Sequence, residues 1–387
     1  MSNKLDRKIG ILGGGQLGKM LIESFSPLNI EYTILEKSRH CPSALVTSKV
    51  IEGSLYDHDA IEALSQHADI LTYEIEHVSI EALKKLDVPT IPFPSVLEVI
   101  QDKGYQKEFY SNNNIPTLDY KLSTAEALKN DVENWPEDEF VLKHRKGGYD
   151  GKGVQILDKN RFEELHDLSE DSISSEHGYV IESLIHGAME VSVIVGVDGK
   201  GNLKSYEACE MVFDPKANLM DYLISPARLS KEVSEHCKEV AVKAIKAFKS
   251  PGIFAVELFV KKDGKAYVNE IAPRPHNSGH HTIESCYTSQ YEQLNRILLE
   301  LPLGSTHQIC SAVNVNLVGP QNVNGPYRLD GLEKVLNIEG VYIHMYGKTE
   351  SKPYRKLGHY TILGDTVDDC LNKMNEIRKS LTIVAKD

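Results

Sequence analysis

Residues 8–91 alternate apolar strand signals with amphipathic helix signals, and the first strand runs straight into glycines: KIGILGGGQLGKMLI, residues 8–22. Such alternation builds a parallel sheet with crossover helices. Strands are expected at 8–12, 32–35, 69–73 and, briefly, 90–91, with helices at 16–26, 59–67 and 79–86. Gly13, Gly15 and Gly18 fit the G-x-G-x-x-G spacing of a dinucleotide-binding turn. Such a turn aims backbone N–H groups and a helix N-terminus at an anion. Glu36 ends the second strand, where a ribose-binding acid would stand. On these residues alone three readings stay open: a dinucleotide, another phosphate ester, or a tight turn without a ligand.

The chain of 387 residues has room for two or three domains. Its formal charge is -13, from 43 basic and 56 acidic side chains, which argues against a nucleic-acid partner. A small phosphorylated ligand needs only a few local donors. The six cysteines lack C-x-x-C spacing and read as reduced thiols. MSNKLDRK lacks the apolar core of a secretory signal, and no apolar stretch approaches the length of a membrane span. A cytoplasmic protein with no membrane partner is expected.

The prolines of VPTIPFPS (88–95) mark the exit from the first region, and 96–112 is expected as one helix. KHRKGGYDGKGV (143–154) then lies between two apolar strands. It is a hairpin flap, not a Walker loop, which runs from strand into helix. Gly147, Gly148, Gly151 and Gly153 let the backbone close over phosphates, and Lys143, Arg145, Lys146 and Lys152 supply charge. The bland alternative is a solvated basic turn. Further strands are expected at 178–185 and 189–197 and a long helix at 230–250. A hairpin turning at Asp263–Gly264 follows, with Glu257 on one strand and Glu270 on the other. Carboxylates facing each other across a ladder repel unless a cation sits between them. Mg²⁺ bridging nucleotide phosphates suits such hard oxygens. Asn269 alternates with Glu270, so it joins them only if the strand bends there. The alternative of solvated acids conflicts with FAVELFV, where Glu257 is embedded in apolar residues.

Lys143, the flap, VIESLI with Glu190, AVELF and VNEIAPRPHNSGHHT together resemble the ATP-grasp superfamily. Within it, GGGQLGKM, LTYEIEHV (71–78), QDKGYQK (101–107), GGYDGKG (147–153), APRPHNSGHHT (272–282) and YGKTESKPYRKLGH (346–359) are similar to the 5-(carboxyamino)imidazole ribonucleotide synthases, in order and over nearly the whole chain. The resemblance implies an α/β ATP-grasp fold. Residues 1–107 would form an N-terminal Rossmann-like parallel-sheet domain and 108–302 a two-lobed ATP-grasp domain with its flap at 143–154. Residues 303–387 would form a small α+β domain. The implied activity is carboxylation of the exocyclic amine of 5-aminoimidazole ribonucleotide in purine biosynthesis. It uses ATP and bicarbonate, passes through carboxyphosphate, and releases ADP and phosphate. Two Mg²⁺ ions and a homodimer are implied with it.

Carried over residue by residue, the resemblance assigns ATP to Lys103, Lys143, Gly148, Tyr149, Asp150, Gly151, Lys152, Gly153, the hinge Glu182, Ser183, Leu184 and Ile185, the ribose acid Glu190, Phe213, Asn269 and Glu270. It gives Mg²⁺ to Glu257 and Glu270, and catalysis to Arg274, His276, Asn277 and Lys152. Gly15, Gln16, Leu17, Glu76, Tyr149, Asp150, Arg274, Lys348 and Arg355 would hold the ribotide. The glycine turn then faces the ribotide 5′-phosphate, and Glu36 holds no ligand. His280 and His281 take a structural role at a helix entry. The chain departs from the family pattern at Lys103, usually Arg, at Phe213, often His, and at Lys352 and Tyr354, usually Arg and Gly. The rivals are a formate-dependent glycinamide ribotide transformylase of the same fold, a dinucleotide-dependent oxidoreductase using Gly13–Gly18, and a non-catalytic ATP-binding regulator. The last should have lost a metal acid.

Overall fold

The structure, a computed structural model, describes residues 3–147, 153–162, 177–214 and 219–386. Strands β1 (Ile9–Leu12), β2 (Tyr32–Glu36), β3 (Val50–Glu52) and β4 (Ile70–Tyr73) form an all-parallel sheet in the order β3-β2-β1-β4. β1 and β4 are apolar and buried along their whole length, as a parallel sheet covered on both faces requires. Helices α1 (Gln16–Ser24), α2 (His58–Ser65) and α3 (Ile80–Lys84) supply the cover. Residues 90–91 do not form the expected strand; Thr90 only bridges Leu71.

The single helix expected over 96–112 is two, α4 (Pro94–Ile100) and α5 (Lys103–Asn112). Asp102 makes the break. Its carboxylate accepts the N–H groups of Gly104 and Tyr105, capping α5, and takes both arms of the Arg145 guanidinium at 2.9 and 3.1 Å. A Cβ on Gly104 would lie 2.5 Å from that guanidinium, so glycine lets the base of the flap close on α5.

β5 (Tyr120–Ser123), β6 (Glu139–His144), β7 (Val154–Asp158) and β8 (Tyr179–Ser183) form an antiparallel sheet in the order β5-β8-β6-β7. β6 and β7 flank the glycine loop, the hairpin read from the sequence. The second lobe is built on β9 (Met189–Val197), β10 (Leu203–Ser205), β11 (Cys209–Asp214), β12 (Leu219–Ser225), β13 (Gly252–Val260) and β14 (Ala266–Ala272). The helix Lys231–Phe248 packs Cys237, Val240, Ala244 and Phe248 onto them. Thr117 ties the lobes together through a parallel bridge to Val268.

Beyond these lie β15 (Ser311–Val318), β16 (Gly325–Asp330), β17 (Val341–Met345), β18 (Glu350–Ser351), β19 (Lys356–Gly364) and β20 (Thr382–Ala385). The large sheet runs β14-β13-β9-β11-β12-β15-β19-β17, so C-terminal strands continue the central sheet; only β18-β16-β20 stand apart. The β17–β19 segment therefore starts from the same rigid platform as the central hairpin.

Asp102→Ala should lower stability by about 2 kcal/mol, through loss of a cap and of a buried partner for Arg145. Asp102→Asn, which still caps, should lose less. Urea unfolding of the three proteins checks this; equal midpoints would remove Asp102 from the joint.

Candidate active site

The β13–β14 ladder sets Glu257 opposite Glu270 and then slips, with Leu258 opposite Val268. Asn269 is the extra residue of this bulge, so the strand bends where a third oxygen could join the two carboxylates. Burial, then Glu270 and Glu190, push the Glu257 carboxyl up to about 8. The His276 ring Nε2 lies 3.5 Å from a Glu257 oxygen. The donors fit Mg²⁺: two hard carboxylates, one of which burial and its acidic neighbours bias toward the protonated form in the absence of a cation, plus the adjoining amide oxygen. Among the described residues no cluster of three or more His, Cys, Asp or Glu could hold a metal alone. Phosphate oxygens would have to complete the shell.

Three lysines converge on this end of the hairpin. Lys103 lies 3.2 Å from a Glu270 oxygen, and Lys143 donates to the Asn269 amide oxygen at 3.0 Å. Lys143 and Lys107 both hold Glu182, at 2.8 and 2.9 Å, with Glu182 and Lys107 at 2 % and 3 % side-chain exposure. Burial alone would raise the Glu182 carboxyl, but the two lysines pull it down to about 2. Burial dominates at Lys107, whose ammonium is shifted down. Lys103, Gln106, Lys107, Lys143, Glu182, Asn269 and Glu270 line one cleft. Gln106 and Lys107 escaped the sequence reading, although 103, 106 and 107 share the i, i+3, i+4 face of α5.

The other assigned nucleotide residues are placed around this cleft unevenly. Glu182 turns its side chain inward to the lysines, which leaves only backbone groups of the hinge for a base edge. Ser183 donates to Glu137 at 3.0 Å, and Leu184 and Ile185 are half-buried beyond it. Glu190 opens β9 opposite Phe259 and Met211, its carboxyl shifted up by burial. Phe213 packs against the cluster of Cys209, Met211, Met220 and Leu223. Gly153 has a φ of 76° and accepts the His144 N–H. The Arg145 fork is paired with Asp102. Gly148, Tyr149, Asp150, Gly151 and Lys152 lie outside the described residues.

On the other side of the hairpin, the Arg274 fork takes both oxygens of Glu76 at 2.5 and 3.1 Å. This pair joins the parallel sheet to the loop after β14. Burial would raise Glu76, but Arg274 holds it at about 2. The Arg274 guanidinium thus faces a carboxylate, and any incoming anion would have to share it. His276 is oriented through Nδ1 and Ser278 Oγ at 2.9 Å, and Ser278 pairs with Ser192 at 2.7 Å. Asn277 donates to Asn316 at 3.1 Å, while its own Oδ1 is buried with no hydrogen-bond partner among the described residues. His280 stacks on His359, ring centres 4.6 Å apart, and hydrogen-bonds Tyr291; His281 hydrogen-bonds Ser285. Both are buried, which lowers their pKa, and they pack where the chain enters the short helix Thr282–Ser285.

The glycine turn is taken up by carboxylates. Gly15 and Gly18 donate their N–H groups to Glu74, the latter at 2.6 Å, and Gly14 donates to Glu36 at 2.9 Å. Glu36 is therefore a turn-closing acid and not merely a strand end. Gln16 and Leu17 open α1 beside it. The C-terminal segment reaches the same helix: Lys19 donates to the Met345 carbonyl at 2.9 Å. Lys348 donates to the Lys356 carbonyl at 2.7 Å and Arg355 to the Glu350 carbonyl at 2.9 Å, which fixes the loop between them. Tyr354 has a φ of 63°, a left-handed backbone at the position where glycine is usual.

Residues 108–291 match the ATP-grasp domain, 6–101 the ribonucleotide synthetase preATP-grasp domain, and 312–373 the phosphoribosylaminoimidazole carboxylase C-terminal domain. The fold and the lysine- and carboxylate-lined cleft define an ATP-grasp enzyme. The chain is 34% identical to an N5-carboxyaminoimidazole ribonucleotide synthase of Brucella melitensis over 91% of this chain and 95% of that one. The structure of the Thermotoga maritima synthetase is 38% identical, with a TM-score of 0.87, covering 98% of this chain and 100% of that one. The Aspergillus clavatus synthase, solved with ADP and 5-aminoimidazole ribonucleotide, is 29% identical with a TM-score of 0.86 over 97% and 99%. The chain spans 64% and 66% of the length of the Vigna aconitifolia and Saccharomyces cerevisiae phosphoribosylaminoimidazole carboxylases. It belongs to the N5-carboxyaminoimidazole ribonucleotide synthase family.

Glu182 is depressed from an ordinary 4.5 to about 2. Its contribution to stability is thus complete above pH 4.5 and is lost as pH falls toward 2. Glu182→Gln should cost about 3 kcal/mol at pH 7, since it leaves two lysines uncompensated. The gap to the parent protein should narrow as pH falls below 4.5. Urea unfolding at pH 7 and pH 3 tests this, and a pH-independent gap would contradict the assignment.

Proposed function

We propose that the chain carboxylates the exocyclic amine of 5-aminoimidazole ribonucleotide at the expense of ATP and bicarbonate. The observation that carries this is the convergence, at one end of the β13–β14 hairpin, of the Glu257–Glu270 pair, three lysines and the Arg274–Glu76 pair. Phosphoryl transfer needs charge neutralisation and in-line positioning more than covalent help. Lys103 and Lys143 would meet the phosphates of ATP, while the buried Lys107 holds Glu182 beside them. Glu257 and Glu270 would hold Mg²⁺, which when bound neutralises the phosphate charge. A bicarbonate oxygen attacks the γ-phosphorus and ADP leaves, giving carboxyphosphate. Arg274, with its planar fork, suits both anions. Carboxyphosphate breaks into CO₂ and phosphate, and the amine nitrogen attacks the CO₂ carbon and loses a proton. His276, fixed by Ser278, is the group at hand to take that proton.

The ribotide phosphate would lie at Gly15, Gln16 and Leu17 with Lys348 and Arg355 across from it, and Glu76 would meet the ribose or amine. Tyr149, Asp150 and Lys152 would close with the flap and exclude water, which would otherwise hydrolyse carboxyphosphate. Support comes from the Aspergillus clavatus synthase, whose structure holds ADP and the same ribotide. The reading includes a homodimer in a reducing, cytoplasmic compartment. All six cysteines are free thiols, and among the described residues no helix is long and apolar enough to cross a membrane.

The test is ADP release from ATP and Mg²⁺, with and without the ribotide, in bicarbonate and in CO₂-depleted buffer. Ribotide stimulation that depends on bicarbonate is expected; stimulation by glycinamide ribotide and formate instead would move the substrate. Glu270→Gln should cut turnover by about 100-fold or more while the melting temperature stays within a few degrees. Arg355→Ala should raise the ribotide KM by about tenfold with little change in kcat. Near-normal turnover in the first, or an unchanged KM in the second, would remove that residue from the site.

A further inference from the structure

The glycine turn is occupied from within. Glu74 follows β4 directly and places one carboxylate oxygen on the Gly15 N–H and the other on the Gly18 N–H. The glycines are matched to it: a Cβ on Gly13 would lie 2.5 Å from Glu74 Cγ, and one on Gly15 would lie 2.6 Å from Oε1. Gly13 also has a φ of 101°. The pattern that reads as a phosphate cradle in the sequence is thus, in this state, a carboxylate cradle. The two ligands exclude each other, since a phosphate and a carboxylate cannot share the same two N–H donors and their like charges repel.

We propose that Glu74 is the resident occupant of this turn and that the ribotide binds by displacing it, which makes Glu74 a determinant of ribotide affinity and specificity. The inference rests on the reading that the turn takes the ribotide phosphate. The physical sense is that helix N-terminal N–H groups are costly to bury unpaired. An internal carboxylate satisfies them and shuts out stray anions, inorganic phosphate among them, until a ligand with further contacts to the ribose and base competes. Glu74 is suited to leave. It is half-buried, sits in the irregular TYEIE segment after the strand, and burial shifts its carboxyl up, so its ionised form is held less firmly than the geometry suggests. Arg274, already paired with Glu76 two residues on, is within its electrostatic reach. Glu36 on Gly14 uses a separate donor and need not move.

The test compares equilibrium binding of 5-aminoimidazole ribonucleotide and of its nucleoside, which lacks the phosphate, to the parent protein, Glu74→Ala and Glu74→Gln. Glu74→Ala should bind the ribotide about tenfold more tightly, equivalent to about 1.4 kcal/mol, and the nucleoside unchanged. Glu74→Gln keeps one acceptor oxygen and should tighten the ribotide by less, about threefold. Inorganic phosphate should become a stronger competitor in the same order. An unchanged or weaker ribotide affinity in both variants, or a nucleoside affinity that moves in parallel, would overturn the proposal. Should the alanine variant not fold, a crystal structure of the parent protein with ribotide decides: Glu74 must have left Gly15 and Gly18, and a carboxylate still seated there refutes it. If the parent protein neither binds the ribotide nor releases ADP in response to it, the functional reading itself has failed, and the displacement proposal falls with it.

Discussion

Two carboxylates facing each other across a ladder, Glu257 and Glu270, are the constraint around which the remaining site is arranged. A like-charged pair on a central hairpin is unfavourable unless something nearby supplies positive charge. Lys103 supplies it to Glu270, and the strand bulges at Asn269 beside the pair. β13, which carries Glu257, is paired with β9 along its whole length, while β14, which carries Glu270, forms the edge of the same sheet.

Around that pair, nearly every charged group of the cleft is balanced by another from a different part of the chain. Glu182 of β8 joins Lys107 of α5 and Lys143 of β6; Glu76 of the parallel sheet joins Arg274 of the loop after β14. On the function proposed above, substrates would draw these partners away: anionic phosphates would compete for the lysines, bicarbonate for Arg274, and a divalent cation for the acids. Ligand binding then exchanges ion pairs and does not create charge in a dry pocket, which limits the desolvation cost that isolated buried charges carry. The turn at Gly13–Gly18 repeats the logic with a carboxylate in place of the phosphate.

Much of this was legible in the sequence because it follows from period and spacing. Alternating strands and helices gave the parallel sheet, FAVELFV with VNEIA gave the facing acids, and two apolar strands around KGGYDGKG gave the β6–β7 pair. What was not legible depended on residues far apart in the chain. The Asp102 cap and Gly104 are local signals within 96–112, but Asp102 is also held by Arg145, forty-three residues on. Lys107 reads as a surface helix lysine until Glu182 is placed against it. Glu74 and Glu76 are neighbours in TYEIE, yet one closes a backbone turn and the other grips an arginine, a division that only the tertiary fold makes. Tyr354 keeps a left-handed backbone without the glycine usual there, which a sequence pattern can flag as a departure but not resolve.

The most direct test of the central claim is the fate of the carbon. The protein should be incubated with ATP, Mg²⁺, ¹³C-bicarbonate and 5-aminoimidazole ribonucleotide carrying ¹⁵N in its exocyclic amine, and followed by NMR. The arrangement of Arg274, His276 and the metal acids predicts a new carbamate carbon coupled to that nitrogen, formed in step with ADP. Label bonded first to a ring carbon, or ADP formed with no labelled product, would contradict it.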